Sequence, residues 1–401
     1  MRTPTTRWTT PIAFVLGCAT AVAAPQEPTQ RPGPHERLGD PPPPGPISTP
    51  GRTRVDPIVR DRFVTVQVNV DANGLNIVGD AANEPSIAVD PLQPARMAIG
   101  WRQFDTTASN FRQAGAAYST DGGRHWVGVG PLDAGVFRSD PVLASDATGV
   151  FYYYSISIPG GQYLCDMFRS TDGGQTWSGP TAANGGDKAW VAVDRTGGVG
   201  DGHVYAEWSV FAGCCGSDVF TRSTDGGTTW SGPVTVPGTP IWGTLDVGLD
   251  GALYVAGRDP NASGFLVAKS TNAQQAGATP SFDFVKSVSL GGDLSYGGEP
   301  NPGGLLGQAW IAVHPTDPQT VYLLCSVDPP GPDPMIATFL SPSSMGSGFS
   351  HPSATCLSYT NRFRAHIDSG SSYSPRLQEL SHGRGQTLPQ TPANGIVSRT
   401  R

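Results

Sequence analysis

The sequence predicts an all-β fold in the form of a β-propeller, built of four-stranded blades of about 50 residues each. Two observations lead to this prediction: a turn motif recurs at nearly constant spacing, and a strand-like phrase recurs between its copies. The composition agrees, because 52 Gly and 38 Pro among 401 residues favour turns, while 15% charged residues are too few for long exposed helices. Hydrophobic residues, at 37%, suffice for a packed core and exclude wholesale disorder.

The turn motif begins at Ser119, Ser170 and Ser223, and a worn fourth copy begins at Lys269. Asp accepts backbone N–H bonds across a tight turn and Gly supplies positive φ, so we expect these residues to build the blades rather than to catalyse. The Trp of each motif is expected to fill the seam between adjacent sheets. The structural residues are Ser119, Asp121, Gly123, Trp126, Ser170, Asp172, Gly174, Trp177, Ser223, Asp225, Gly227 and Trp230.

A second phrase, of the type Ala-Val-Asp, alternates with the turns. Its copies end at Asp90, Asp146, Asp194, Asp250 and His314. A β-rich stretch follows each copy, so one period holds four short strands. Such a sheet cannot bury both of its faces alone, and neighbouring blades must stack against it. The sequence therefore predicts four whole blades and most of a fifth.

Composition divides the chain into four segments. Residues 1–24 have a basic start, a short apolar run and small residues at the end, as a secretory signal peptide does. Residues 25–57 hold 11 prolines and predict a stiff linker. The propeller is predicted for 58–335 and an atypical, low-order tail for 336–401. We expect a secreted or periplasmic protein without a transmembrane segment; lipoprotein anchoring at Cys18 is a minor alternative.

The repeat pattern stops within the fifth blade, after Met335. One hypothesis is a reading-frame change that replaced the remaining blades with an unrelated tail. The other is an ordinary disordered C-terminus, with the propeller closed in another way. Composition does not separate the two.

The motif Ser-x-Asp-x-Gly-x-Thr-Trp resembles the Asp-box, or BNR repeat, of the sialidase-like β-propellers, over residues 83–333. Residues 84–90, Gly100-Trp101-Arg102 and 187–190 look like secreted bacterial proteins of the exo-α-sialidase type. The resemblance implies a six-bladed propeller that releases terminal sialic acids from glycans. It also implies three arginines that grip the substrate carboxylate, a Tyr nucleophile paired with Glu, and an Asp that handles protons.

The family's early Arg-Ile-Pro motif is missing here. The nearest early arginines, Arg60, Arg62 and Arg102, lack the expected neighbours. Three alternatives therefore stay open: an exo-α-sialidase, a non-catalytic propeller that binds glycan or protein, and an inactive product of a damaged gene.

A ring of polar residues marks where a site would lie. Six positions before the end of each Ala-Val-Asp phrase stand Glu84, Asp140, Lys188, Thr244 and Gln308, just ahead of the predicted innermost strand. They form a ligand site at the funnel mouth or merely hydrate the pore. Arg102 and Arg138 are the best arginines for holding an anionic ligand, and Glu207 is a further carboxylate.

The candidate catalytic residues are therefore Glu84, Arg102, Arg138 and Asp140, and the candidate ligand-binding residues are Lys188, Thr244, Gln308 and Glu207. Tyr152, Tyr153 and Tyr154 are expected in the core rather than as nucleophiles.

Other classes of function find little support. A net charge of −7 argues against a nucleic-acid partner. No Cys-x-x-Cys, His-Glu-x-x-His or phosphate-loop motif occurs, so we expect no metal and no cofactor. The predicted partner is a glycan or glycoconjugate; the oligomeric state is left open. Cys214 and Cys215 form a vicinal disulfide or pair separately with Cys165 and Cys325.

Overall fold

The computed structural model describes residues 40–42, 56–60, 63–295, 307–328, 336–340 and 357–359. The predicted signal peptide and most of the predicted linker and tail lie outside the described residues. Within them every regular element is a β-strand, apart from a 3₁₀ turn at Pro159–Gly161. No helix in this part of the chain is long and apolar enough to cross a membrane.

The described strands form one short hairpin and five antiparallel sheets. The hairpin pairs β1 (Ile58–Arg60) with β2 (Phe63–Thr65). Sheet 1 holds β3 (Ala81–Val89), β4 (Met97–Phe104), β5 (Arg112–Ser119) and β6 (Val127–Pro131). Sheet 2 holds β7 (Ser139–Ser145), β8 (Phe151–Ser157), β9 (Leu164–Ser170) and β10 (Ser178–Ala182).

Sheet 3 holds β11 (Trp190–Val193), β12 (Val204–Glu207) and β13 (Phe220–Ser223), with a single bridge from Phe220 to Val234 beyond β13. Sheet 4 holds β14 (Ile241–Val247), β15 (Leu253–Arg258), β16 (Phe265–Ser270) and β17 (Phe284–Val288). Sheet 5 holds β18 (Asp293–Leu294), β19 (Trp310–Val313), β20 (Val321–Asp328), β21 (Ile336–Leu340) and β22 (Leu357–Tyr359).

The first main strands of the five sheets, β3, β7, β11, β14 and β19, lie next to one another in that order. Consecutive strands within each of the first four sheets pair as a meander. Sheets stacked by their innermost strands are blades of a β-propeller, so the predicted fold class is confirmed. The family's total of six blades stays a prediction.

Strand β8 explains the three consecutive tyrosines. All of its residues are buried, because sheets 1 and 3 cover the two faces of sheet 2. Tyr153 reaches sheet 1 and donates to the carbonyl of Gly115 at 3.2 Å. Tyr154 reaches sheet 3, where its ring stacks on Trp230 at 6.1 Å. The expected core position of the tyrosines agrees with this packing, and Trp230 fills a seam as expected.

The three turn motifs have the predicted hydrogen bonds. In the second copy, Asp172 Oδ1 accepts the backbone N–H groups of Gln175 and Thr176 at 3.1 and 2.9 Å. The Ser170 hydroxyl accepts the N–H of Gly174 at 2.8 Å, and Gly174 has φ of 87°. The copies at Asp121 and Asp225 repeat these bonds. These turns lie at the end of the blades where the first strand also turns into the second.

The worn fourth copy is held in another way. Asn272 stands where Asp is expected, and its side chain accepts a bond from the Ser270 hydroxyl at 3.1 Å. Arg222, from the preceding blade, donates to the carbonyls of Ala273, Gln275, Ala276 and Ala278. One buried guanidinium therefore replaces the glycine turn.

The described cysteines follow one of the two alternatives. Cys214 and Cys215 form a vicinal disulfide, while Cys165 and Cys325 are buried free thiols. The disulfide lies in the loop between β12 and β13. That loop pairs with the connection into blade 3, since Cys214 N donates to Gly185 O at 3.0 Å.

The fifth sheet extends beyond Met335. Strand β21 pairs with β20, and β22 pairs with β21. Both β21 and β22 belong to the segment that was predicted as the tail. The two hypotheses for the origin of that segment stay open.

Candidate functional site

The blade connections place charged residues at the start of the innermost strands. Glu84, Asp140 and Lys188 have φ of 50°, 45° and 52°, in the left-handed region that residues other than glycine rarely adopt. In blades 1 and 2 the pairing register shifts at these positions, between Asn83 and Ser86 and between Ser139 and Val142. Such a bulge redirects a side chain, and bulges cluster at functional sites.

In blade 4 the equivalent position holds Trp242, not Thr244. Gly248 N donates to Ala252 O across the first turn, as Asp146 N does to Val150 O. Gly248 is therefore the counterpart of Asp146. The prediction counted back from Asp250 instead, and it was wrong by two residues. Trp242 has the left-handed φ of the ring position, 53°. The shift is concealed in the sequence because the Asp of the Gly-Leu-Asp-Gly turn stands two residues after Gly248.

Thr244 has a structural role two residues further on. Its hydroxyl accepts the backbone N–H of Ile311 at 2.9 Å and joins blade 4 to blade 5. Ser86 makes the same bond to Leu143 N, at 2.9 Å, between blades 1 and 2. Gln308 also joins blades 4 and 5, because its side-chain amide donates to Gly243 O at 2.9 Å.

Four charged side chains, which we call the mouth cluster, converge from blades 1, 2 and 3: Glu84, Arg102, Asp140 and Lys188. The Arg102 guanidinium lies 2.9 Å from Glu84 Oε1. Lys188 Nζ lies 3.0 Å from Asp140 Oδ2. All four side chains are partly shielded, with exposed fractions between 9% and 32%. The structure thus brings together three members of the predicted ring, Glu84, Asp140 and Lys188, with Arg102 beside them.

The two carboxyl groups of the mouth cluster have opposite pKa shifts. Burial raises the pKa of Glu84, and the nearby charge of Asp140 raises it further, which Arg102 only partly offsets. Burial alone would also raise the pKa of Asp140, but Lys188 and Arg102 lower it below the usual range. The pKa of Lys188 is raised by Asp140, Asp187 and Glu84, against the opposing effect of burial. Of the two carboxyl groups, Glu84 therefore binds its proton more strongly than Asp140 does.

Arg138 is used inside blade 2. Its guanidinium pairs with Asp133 at 2.6 Å and with Asp166, and it lies over the ring of Phe168. Only 3% of the side chain is exposed. These contacts commit the guanidinium to two carboxylates and leave it little surface for an anionic ligand.

Glu207 stands apart from the mouth cluster. It is paired in register with Trp190 on the neighbouring strand and is 1% exposed. Burial raises the pKa of Glu207 well above its usual value, which favours the protonated form of the carboxyl group. No described residue gives its carboxyl a hydrogen bond or an ion pair.

Aromatic residues lie beside the ring positions. They were not among the site residues predicted from the sequence. The rings of Trp190 and Trp310 meet edge to face at 4.9 Å, and Trp310 is 37% exposed. Trp242 lies 6.1 Å from Phe211. The available signal was that Trp190 and Trp310 each follow a ring residue by two positions. Within the described ranges, no group of three His, Cys, Asp or Glu residues is arranged to hold a metal ion.

Comparison with known proteins finds matches among solved structures. No protein-family model and no curated protein matches the chain. The intramolecular trans-sialidase from Ruminococcus gnavus is 13% identical with a TM-score of 0.43, over 70% of this chain and 85% of that one. A protein of unknown function from Dyadobacter fermentans is 15% identical with a TM-score of 0.42, over 78% and 88%.

The Hadza microbial sialidase Hz136 is 15% identical with a TM-score of 0.40, over 65% of this chain and 54% of its own. The chain thus spans about half the length of that sialidase. Similarity at this level does not transfer an activity or a ligand to this chain.

Proposed function

We propose that the chain is a glycan-directed propeller that holds its ligand over the mouth cluster. The observation that carries the proposal is the convergence of Glu84, Arg102, Asp140 and Lys188 from three successive blades, three of them with left-handed backbone. A strained backbone is retained where the position of a side chain matters. Partly exposed donors and acceptors at the start of the innermost strands suit the hydroxyl groups of a sugar.

Binding to a glycan array tests this proposal. Lys188→Ala should weaken the binding that the wild-type protein displays. Lys269→Ala is a matched control, because Lys269 also faces a carboxylate, Asp250, at 3.8 Å, but at the opposite end of a blade. Absence of binding to any glycan, or equal loss in both variants, would count against a ligand site at the mouth cluster.

A second candidate function is hydrolysis of terminal sialic acids. The opposite pKa shifts of Glu84 and Asp140 favour it, because glycoside hydrolysis uses one carboxyl group that retains its proton and a second that is ionised. Glu84 would donate the proton to the leaving group. Of the arginines at the mouth, Arg102 is the one with a partly exposed guanidinium beside this pair.

Turnover of a fluorogenic sialoside separates the two candidates. Hydrolysis that is lost in Glu84→Gln and in Arg102→Ala, with both variants folded, would establish the enzyme. Glycan binding without turnover would leave the binding module. Export is proposed from residues 1–24, and mass spectrometry of the mature N-terminus in the native host tests it.

A further inference from the structure

A polar group without a partner lies at the end of strand β12. Glu207 and Trp190 are directly opposite each other in an antiparallel pair, so their side chains project from the same face of sheet 3. A buried carboxyl group normally has a hydrogen-bond partner. Glu207 is 1% exposed and finds none among the described residues. The Glu207 carboxyl group therefore has unused hydrogen-bonding capacity.

The same face continues into an aromatic surface. Trp190 reaches past blade 4 and contacts Trp310 of blade 5, with ring centroids 4.9 Å apart and an interplanar angle of 78°. Among the tryptophans of the described residues, Trp310 has the largest exposed fraction. An edge-to-face pair leaves a ring face of Trp310 available for contact.

Polar groups border this aromatic pair on one side. Lys188 and Gln308 precede Trp190 and Trp310 by two residues each, at the ring positions of blades 3 and 5. The Gln308 amide nitrogen donates a hydrogen bond to Gly243 O, while its amide oxygen accepts no hydrogen bond from a described residue. An apolar plate with hydrogen-bonding groups at its rim matches a pyranose ring, which has C–H groups on its faces and hydroxyls at its edge.

The two cations of the mouth cluster are already paired, which disfavours an anionic ligand. The Arg102 guanidinium lies 2.9 Å from Glu84, and Lys188 Nζ lies 3.0 Å from Asp140. A ligand carboxylate would displace one of these pairs, whereas a neutral sugar would not.

We propose that Trp190 and Trp310 form a stacking platform for a neutral pyranose, with Glu207 at its base and Gln308 at its rim. This inference rests on the proposed glycan-directed function and specifies the ligand class. The sugar face packs on Trp310, and its hydroxyls exchange hydrogen bonds with the Glu207 carboxyl and the Gln308 amide oxygen.

Saturation-transfer NMR on the full chain tests the platform. The neutral probes are methyl β-D-glucopyranoside and methyl β-D-galactopyranoside, and the anionic probe is the α-methyl glycoside of N-acetylneuraminic acid. We expect transfer from tryptophan ring protons to the axial C–H protons of a neutral probe. Trp310→Ala should weaken this binding about tenfold or more.

Control variants separate a binding role from a folding role. Leu249→Ala removes another exposed apolar side chain, 57% exposed and at the opposite end of blade 4, and should leave the binding unchanged. Glu207→Gln, which keeps a neutral polar group, should bind better than Glu207→Leu. Thermal unfolding of each variant identifies any that fails to fold, and Trp310→Phe then replaces Trp310→Ala.

The outcomes distinguish this inference from the proposed function. Glycan binding that depends on Lys188 but not on Trp310, or binding of the sialoside alone, would overturn the platform and keep the glycan-directed function. No binding of any glycan would overturn both. If Trp310→Ala changed only self-association, the surface would be a contact between copies of the chain, and the platform would be wrong.

Discussion

Lys188 Nζ lies 3.0 Å from Asp140 Oδ2, so that an ion pair joins the innermost strands of blades 2 and 3. Both residues have left-handed backbone, and their equivalent in blade 1, Glu84, faces Arg102 of its own blade. Neighbouring blades are thus joined by ion pairs at the mouth cluster and by buried tyrosines between the sheets. The same charged groups that join the blades are those that we propose for ligand binding.

Lys188→Ala should destabilise the protein. The change leaves Asp140, 9% exposed, without its main counter-charge, and we expect a loss of about 2 kcal/mol, less than for a fully buried pair because Lys188 is 23% exposed. Urea unfolding measures it. Lys269→Ala, in the matched control pair with Asp250, should cost no more than about 0.5 kcal/mol. Equal losses of free energy of unfolding would mean that the Lys188–Asp140 pair stabilises the protein no more than the Lys269–Asp250 pair does.

Glu207 makes stability fall as the pH rises. Its pKa in the folded protein is raised well above 4.5, so between that value and the raised pKa the unfolded chain has released a proton that the native state retains. The unfolded state is favoured increasingly across this window. Glu207→Gln should remove this part of the pH dependence, measured as free energy of unfolding from about pH 4 to about pH 8. A pH-independent difference between variant and wild type would contradict the assignment.

Arg222→Lys should destabilise blade 4 although the charge is kept. The guanidinium bonds four carbonyl groups of residues 273–278, and an ammonium group cannot reach them together. We expect a loss of about 3 kcal/mol and faster proteolysis in 272–278. Arg169 precedes the second turn motif as Arg222 precedes the third, and it donates one bond to Thr228. Arg169→Lys should therefore cost less than about 1 kcal/mol; comparable losses would contradict the role given to Arg222.

Asp172 should be needed for its turn but not for ligand binding. Asp172→Ala removes the acceptor of two backbone N–H bonds and of the Ser170 hydroxyl, for a loss of about 2 kcal/mol. Asp172→Asn keeps one carbonyl oxygen and should lose about half as much. Thermal unfolding ranks the variants. If a folded Asp172→Asn protein lost glycan binding, Asp172 would take part in ligand binding and the prediction would be wrong.

Local chemistry explains why the turns were predictable. Ser170, Asp172 and Gly174 satisfy one another within five residues, so no distant contact is needed to specify the turn. The strands also follow from local patterns, and the tyrosines of β8 from a run of buried residues. The repeat therefore determined the blade, and the polar ring positions Glu84, Asp140 and Lys188 followed from counting back along it.

Counting failed where the Asp of the repeated phrase changed position. In blade 4 this residue, Asp250, lies inside the turn, while the backbone bond from Gly248 to Ala252 makes Gly248 the reference and Trp242 the ring residue in place of Thr244. Arg138 was likewise predicted to hold an anionic ligand, but its guanidinium is already paired with the carboxylates of Asp133 and Asp166. The replacement of the worn turn by Arg222 depends on a contact between blades and has no local signal.

The sequence by itself determined the all-β blades, their turns and the ring positions of Glu84, Asp140 and Lys188, because each depends on contacts within about ten residues of chain or on a constant repeat. The tertiary structure decided which charges face each other, which arginines are already paired, and which tryptophans meet. Those choices depend on contacts between blades some 50 residues apart, where the sheets pack side by side and a displacement of one residue redirects a side chain.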